Sequence, residues 1–281
     1  MRPLWHAASF LVVLYVGWML LAGVFHPRLA WFASPGFHLR PVLLYLCLDG
    51  FALALSAAYL CGLDGQSFRA LGLWFHRGWF RQITLGTAWG AGVISGTVLL
   101  LIVAHAAAIP LPNVHPLPHF LSLLVFLLLA ATFEELTFRG YLFQRASDAL
   151  GTVFAVLLTS LLFGLAHYGN PEATSLSTLN TVLAGVLLAV ARFRSRALWM
   201  PIGLHFSWNF FLGPVFSFPV SGFTFGMESL ASSSTAPVWF TGGAYGPEGG
   251  AALTAILAGG ILLAMRLPAP VASLGAGSGV D

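Results

Sequence analysis

Lysine is absent from this 281-residue chain, and charged residues of all kinds make up only 7% of it, against 58% hydrophobic residues. A soluble globular domain carries roughly 25% charged residues, so the chain lacks the polar surface that a water-soluble fold needs. A mean hydropathy of +0.87 agrees with this. The composition therefore predicts an integral membrane protein whose main surroundings are the lipid bilayer.

Two further scarcities exclude other classes of protein. The chain has two cysteines, Cys47 and Cys61, without the spacing of a CxxC motif or a metal site, so we predict no disulfide framework. Its 12 basic residues are all arginine, and all but Arg139 are scattered over the segments that flank apolar runs. They form no basic patch of the kind that binds nucleic acid, and we expect no nucleic-acid partner.

Long apolar runs dominate what is present. A transmembrane helix needs about 20 mostly apolar residues, and on that rule the sequence contains eight spans. They cover residues 8–25, 41–63, 84–106, 119–145, 151–168, 175–191, 197–213 and 251–266. The predicted fold is an all-α, polytopic membrane bundle of about eight transmembrane helices.

Three regions follow from the same pattern. Residues 1–118 hold the first three spans and an aromatic, arginine-containing segment at 67–82 that predicts an interfacial amphipathic helix. Residues 119–213 hold the polar motifs described below, and residues 214–281 hold a glycine-rich loop and the last span. The loop, which starts near 213 and ends at 250, has two possible interpretations, because it either rests on the bundle or covers a cavity as a lid.

Arginine is distributed unevenly between the two sides of the predicted bundle. With eight spans, nine arginines fall on one side, Arg28 and Arg40 fall on the other, and Arg139 lies within a span. Positive residues concentrate on the cytoplasmic side of a membrane protein. Both termini are therefore predicted to be cytoplasmic.

Charged and strongly polar side chains inside the spans are few. Because they are costly in lipid, we treat them as candidate functional residues. The candidates for function are Glu134, Glu135 and Arg139 in the fourth span, His167 in the fifth, and His205 and Asn209 in the seventh. Asp49, in the second span, is the only other intramembrane acid, and we expect it to bond a neighbouring helix or the backbone. Residues four positions apart share a helix face, so Glu135 and Arg139 are predicted to form an ion pair. Glu134 lies about 100° around the helix from Glu135 and is left without that partner.

Helix geometry predicts that these groups lie at similar depths. The fourth and fifth spans form a hairpin that turns near Leu150, with Glu134 16 residues before the turn and His167 17 residues after it. At about 1.5 Å per residue, both lie roughly 24 to 26 Å from the turn. His205 and Asn209 follow the turn at Arg196 by 9 and 13 residues, or about 14 and 20 Å, and reach a similar level if the helices tilt. We therefore predict an intramembrane polar cavity where a carboxylate, two imidazoles and a carboxamide converge.

At these residues the sequence resembles the CPBP family of intramembrane endopeptidases, which includes the type II CAAX prenyl proteases and the bacterial Abi or bacteriocin-immunity proteins. The family motifs EExxxR, FxxxH and HxxxN are matched at 134–139, 163–167 and 205–209. The resemblance covers roughly residues 119–213. It implies hydrolysis of a peptide bond in a membrane-associated or prenylated, CAAX-type protein or peptide, and we expect a bacterial inner-membrane location.

The resemblance also implies roles for individual residues. Glu134 would activate water, and His167 would help to hold that water. His205 and Asn209 would stabilise the oxyanion that forms during hydrolysis. The supporting residues would be Glu135, Arg139 and Phe163.

Three alternatives to a metal-free protease stay open from the sequence. Glu134, His167 and His205 could ligate zinc and leave one position for water, although no HExxH motif occurs. Buried glutamate and histidine also build proton relays in transporters, although the chain shows no internal repeat. A non-catalytic immunity or interaction protein would keep the fold without turnover. We expect no cofactor, and the sequence predicts neither the oligomeric state nor the exact substrate.

Overall fold

A computed structural model describes residues 2–27, 36–107, 116–225 and 236–266. Arg28, the middle of the glycine-rich loop at 226–235 and the chain end from 267 lie outside these ranges. Within them the chain is helical, and its single β-bridge joins Val220 to Phe223. The helices are α1 (Arg2–Phe25), α2 (Leu39–Ala57), α3 (Trp79–Val103), α4 (Leu117–Glu135), α5 (Leu142–Leu150), α6 (Thr152–Ala166), α7 (Ser175–Ser195), α8 (Trp199–Phe210), α9 (Val238–Thr241) and α10 (Ala251–Arg266).

The apolar helices coincide with the predicted spans. Five segments of the described chain are long and apolar enough to cross a membrane. They are Pro3–Phe25, Leu39–Leu63, Trp79–Val103, Leu117–Leu150 and Ser175–Ser195. The other three predicted spans correspond to the shorter helices α6, α8 and α10. The prediction of an all-α, polytopic membrane bundle is confirmed.

The segment 67–82 is not the single amphipathic helix that the sequence predicted. It forms one short 3-10 helix, Phe68–Leu71, and α3 then begins at Trp79. Gly72 and Gly78 both adopt left-handed backbone angles, with φ of +89° and +108°. A right-handed helix cannot contain such angles, so the two glycines divide the segment and the prediction of a continuous helix was wrong.

The fourth predicted span is one helical path whose geometry changes in the middle. α4 ends at Glu135, a π-helical turn covers Leu136–Tyr141, and α5 completes the path. Gly140 marks a kink, with φ of −80° and ψ of −118°. Single π turns are frequent at functional sites, and this one begins directly after the two motif carboxylates. Gly151, with φ of +83°, opens the hairpin to α6 at the predicted turn.

α3 and α8 approach each other so closely that only glycine fits at the contacts. A Cβ atom added to Gly86 would lie 2.1 Å from the carbonyl oxygen of Met200, and one added to Gly90 would lie 2.1 Å from that of Leu204. Helices in lipid associate through close packing of small residues, because apolar burial alone gains little there. This contact anchors α8, which carries two of the predicted site residues.

We predict that Gly90→Ala lowers the thermal stability of the purified protein. The added methyl group would overlap the Leu204 carbonyl, and overpacking of this kind costs about 1–3 kcal/mol. Gly92→Ala on the same helix is the matched control, since no atom lies within 4 Å of a Cβ there. Thermal unfolding in detergent micelles measures both variants, and equal melting temperatures would contradict the close contact of α3 with α8.

Candidate active site

Glu134 lies where three helices bring the motif residues together. Its carboxylate oxygen Oε2 is 3.7 Å from Nε2 of His167, at the end of α6, and 3.7 Å from Nε2 of His205 on α8. Within the described ranges this oxygen accepts no hydrogen bond. The distances confirm that Glu134 and His167 lie at the same depth.

The spacing around Glu134 suits a bridging molecule better than a direct contact. At 3.7 Å the nitrogen and oxygen atoms are too far apart for a hydrogen bond, yet one water molecule between them can reach both. The side chains of Glu134 and His167 are 25% and 15% exposed, so both border open space. The arrangement can hold a water molecule between a carboxylate and an imidazole.

Glu135 has the opposite environment, although it is the next residue in the chain. Its carboxylate has no exposed surface, and Oε1 accepts hydrogen bonds from Nη1 of Arg139 at 3.1 Å and from Nδ1 of His205 at 2.8 Å. The predicted pair of Glu135 and Arg139 is confirmed, whereas the contact with His205 was not predicted. Because Nδ1 of His205 is bonded to Glu135, Nε2 is the nitrogen that faces Glu134.

The guanidinium group of Arg139 connects this path to two further helices. It is fully buried, and Nη2 donates to the carbonyl oxygen of Gly185 on α7 at 3.1 Å. Its central carbon lies 4.4 Å from the ring centroid of Phe163 on α6, which is within cation–π range. The carbonyl oxygen of Arg139 accepts a bond from Nε of Arg192 at 3.2 Å. Arg139 therefore holds the kinked path against α6 and α7.

Phe163 orients His167 as well as filling space. Its carbonyl oxygen accepts a hydrogen bond from Nδ1 of His167 at 2.8 Å, one helical turn along the chain. Its ring also lies 4.6 Å from the ring of His167 and 5.8 Å from that of His205. A carbonyl acceptor places the proton of the neutral ring on Nδ1, so the lone pair on Nε2 faces Glu134.

A cavity of about 730 Å³ joins the motif residues to parts of the chain that carry no motif. Asn209 lines it together with His205, Glu134 and His167, so all four predicted catalytic residues border one space. Other walls come from α1, α2 and the glycine-rich loop; they include Tyr15, Trp18, Tyr45, Val220, Phe223 and Glu248. The side chains of Tyr15 and Trp18 are also 62% and 38% exposed. The cavity therefore reaches the outer surface of the bundle beside α1.

Residues 116–211 match the family model described as type II CAAX prenyl endopeptidase Rce1-like. This segment is Rce1-like. It contains all seven predicted site residues, and the match confirms the resemblance drawn from the three motifs. It implies protease activity of the CAAX endopeptidase type. No curated protein and no solved structure matches the chain.

Glu248 is a cavity carboxylate outside the Rce1-like segment, and the motifs do not identify it. Its Oε1 accepts from Nε1 of Trp208 at 2.8 Å, and its Oε2 accepts from the hydroxyl of Ser221 at 3.1 Å and from the Ser221 backbone N–H. Burial raises the pKa of the Glu248 carboxyl, while these hydrogen bonds oppose the rise. The available signal was an acid within an apolar, glycine-rich loop of a chain that has only nine acids.

The described parts of the glycine-rich loop both rest on the bundle and border the cavity. Asn180 of α7 donates to the carbonyl oxygens of Glu248 and Gly250, at 2.9 Å each. Asn170, just beyond α6, donates to the carbonyl oxygen of Ser221 at 3.1 Å. The loop is therefore bonded to the Rce1-like segment and forms one wall of its cavity.

Within the described ranges no group of three or more His, Cys, Asp or Glu side chains is arranged to hold a metal ion. Glu134, His167 and His205, the set that the sequence suggested for zinc, converge without forming such a group. Nδ1 of His205 donates to the carboxylate of Glu135, which leaves Nε2 of His205 directed at Glu134.

We predict different effects on stability when the two neighbouring carboxylates of the Rce1-like segment are replaced. Glu135→Ala leaves Arg139 buried without its anion, and breaking a buried pair costs about 3–5 kcal/mol. Glu134→Gln removes a group that borders open space, so its melting temperature is expected to stay close to that of the parent. Thermal unfolding of both variants in detergent measures this difference. Equal destabilisation of the two variants would contradict the prediction that Glu135 stabilises the fold and Glu134 does not.

Proposed function

We propose that the chain is an intramembrane endopeptidase that cleaves a membrane-associated or prenylated, CAAX-type protein or peptide with water activated by Glu134. The observation that carries the proposal is the position of Oε2 of Glu134, 3.7 Å from each of two imidazole nitrogens in a common cavity. The Rce1-like match supports a protease of the CAAX type. The three regions 1–118, 119–213 and 214–281 remain our proposed division of the chain.

Glu134 acts as the general base in this proposal, and His167 orients the water. The water donates one hydrogen to the carboxylate and the other to Nε2 of His167, whose own proton is held on Nδ1 by the Phe163 carbonyl. A lone pair on the water oxygen is then directed at the substrate carbonyl carbon. Glu134 takes the proton as the carbon–oxygen bond forms and returns it to the amine that leaves.

His205 and Asn209 stabilise the oxyanion. They lie one turn apart on α8 and face the same space, and a carboxamide N–H is a suitable donor to developing negative charge. When the His205 ring carries protons on both nitrogens, Nδ1 donates to Glu135 and Nε2 donates into the cavity. The carboxylate of Glu135, which also pairs with Arg139, then accepts the bond from the charged ring.

The proposed route for substrate is lateral, from the bilayer past α1. Tyr15 and Trp18 line the cavity while they are exposed on the surface that faces lipid. A membrane-associated segment can enter there and unwind at Glu134, where polar groups of the site satisfy its backbone. We further propose that the arginine-rich side and both termini face the cytoplasm of a bacterial inner membrane.

Glu134→Gln is the direct test of the proposed reaction. We expect cleavage of a farnesylated CAAX-type reporter peptide in proteoliposomes to fall by about 10² to 10⁴, the usual contribution of a general base. Glu172→Gln, at an exposed carboxylate in the loop after α6, is the control and should cleave at the parental rate.

The same assay separates the alternatives. Retention of cleavage by Glu134→Gln would contradict the assignment of Glu134. If the parent protein does not cleave the peptide but carries protons across the vesicle membrane, the transporter interpretation replaces the protease. Equal cleavage of the farnesylated and unprenylated peptides would contradict selection of a prenyl group and leave membrane-associated peptides as the substrate class.

Metal removal tests the metal-free part of the proposal. Purified protein treated with a chelator is expected to keep both its melting temperature and its peptide cleavage, because the proposed roles of Glu134 and His167 require only water. Elemental analysis should find much less than one zinc per chain. Stoichiometric zinc whose removal abolishes cleavage, with recovery when zinc is added back, would overturn this part of the account.

A further inference from the structure

The side chain of Glu248 connects two walls of the cavity that come from distant parts of the chain. Trp208, which donates to Oε1, directly precedes Asn209 on α8. Ser221, which donates to Oε2, belongs to the segment 217–225, which we call the cover segment. Both donors line the cavity, as does Glu248 itself. One carboxylate therefore ties the cover segment to the helix that carries the proposed oxyanion groups.

The residues around Glu248 fix the position of its carboxylate. Glu248 is only 8% exposed, and its three donors are neutral groups, so its burial is costly compared with that of an apolar side chain. Asn180 fixes its backbone from α7, and Asn180 in turn accepts a bond from the hydroxyl of Thr254 on α10 at 2.7 Å. Two helices thus hold the carboxylate where it meets Trp208 and Ser221.

The cover segment is shaped to receive this bond. Gly222, with φ of +86°, lies so close to the carbonyl oxygen of Pro171 that a Cβ there would be 2.0 Å away. Its N–H donates to the carbonyl oxygen of Tyr245 at 3.0 Å. These contacts turn the chain next to Ser221 and direct its N–H and hydroxyl at Glu248. Val220, on the other side of Ser221, lies 6% exposed in the cavity wall.

We propose that Glu248 is a positioning residue whose carboxylate latches the cover segment onto α8, keeping Asn209 aimed into the cavity and the cavity closed on that side. The catalytic part of this inference rests on the proposed function, whereas the latch does not. Glu248 does not touch the reacting atoms and acts through Trp208 and Ser221.

Glu248→Gln is the first test, because it keeps the size of the side chain and an acceptor for Trp208. Its amide hydrogens then face the Ser221 N–H, so two donors oppose each other there, only the Ser221 hydroxyl can still bond, and the latch is weakened. We expect kcat for the reporter peptide to fall about tenfold while KM stays within about twofold, since the loss is one of orientation. Glu172→Gln is the matched control and should change neither constant.

A second readout follows the latch without any cleavage. Val220→Cys is introduced into a background of Cys47→Ser and Cys61→Ser, and the rate of its reaction with a membrane-impermeant maleimide is measured on each side of oriented vesicles. Local opening exposes buried positions, and we expect Glu248→Gln to speed this reaction by about fivefold or more. Trp208→Phe and Ser221→Ala each remove one donor and carry the same test if Glu248→Gln fails to fold.

The outcomes separate the latch from the proposed reaction. Unchanged labelling of Val220→Cys in Glu248→Gln would overturn the latch, and so would a lower melting temperature with kcat and labelling unchanged, which is the result of simple packing. Glu134→Gln should label like its parent while it loses cleavage. If Glu134→Gln still cleaves, the proposed function fails, and the labelling rates alone then judge the latch.

Discussion

A carboxylate with no exposed surface inside an apolar bundle needs positive or hydrogen-bonding partners from the protein itself. Glu135 has two, because the same oxygen accepts from Arg139 on its own helical path and from His205 on α8. If Arg139 moved away, two buried charges would lose their ion pair, and if His205 moved away, Glu135 would lose a buried hydrogen bond. This one carboxylate therefore sets how α8 lies against α4, and the remaining geometry of the site depends on it.

Arg139 extends the same constraint to the rest of the Rce1-like segment. Its guanidinium bonds the Gly185 carbonyl on α7 and lies over the ring of Phe163 on α6. Phe163 then directs the ring of His167 through its carbonyl oxygen. A chain of contacts that starts at one buried charge thus orients both imidazoles that face Glu134. Among the residues that the structure describes, Oε2 of Glu134 accepts no hydrogen bond, which leaves it available to substrate and water.

Two adjacent carboxylates with different surroundings can take different roles. Glu135 is fully enclosed, whereas the side chain of Glu134 is 25% exposed to the cavity. The π-helical turn at Leu136–Tyr141 begins immediately after them and contains Arg139, which pairs with Glu135, while Glu134 borders the cavity. In our proposal Glu135 stabilises the structure of the site, and Glu134 acts in the reaction.

Much of this could be predicted because it depends on local spacing. Apolar runs predicted the helices, the four-residue spacing predicted the pair of Glu135 and Arg139, and the residue count from Leu150 predicted the common depth of Glu134 and His167. The contact of Glu135 with His205 and the glycine contacts between α3 and α8 depend on packing between distant segments. Local spacing carries no information on them. Glu248 was missed for the same reason, since its donors are close only in the folded chain.

The prediction of one helix over residues 67–82 was wrong for a different reason. The composition of this segment is typical of an interfacial helix. Composition alone does not show that Gly72 and Gly78 adopt left-handed angles, which divide the segment. The walls of the cavity from α1 and α2 carry no motif, so their part in the site became visible only from the fold.

The central claim is that Glu134 delivers a water molecule directly to the scissile carbonyl carbon. A single turnover in water enriched in oxygen-18, with enzyme in excess over the peptide, tests it most directly. The account predicts one heavy oxygen in every new product carboxylate and an unchanged mass for the enzyme peptide that contains Glu134. Heavy oxygen in the Glu134 side chain after that turnover, with unlabelled product, would show a covalent acyl intermediate on Glu134 and contradict the claim.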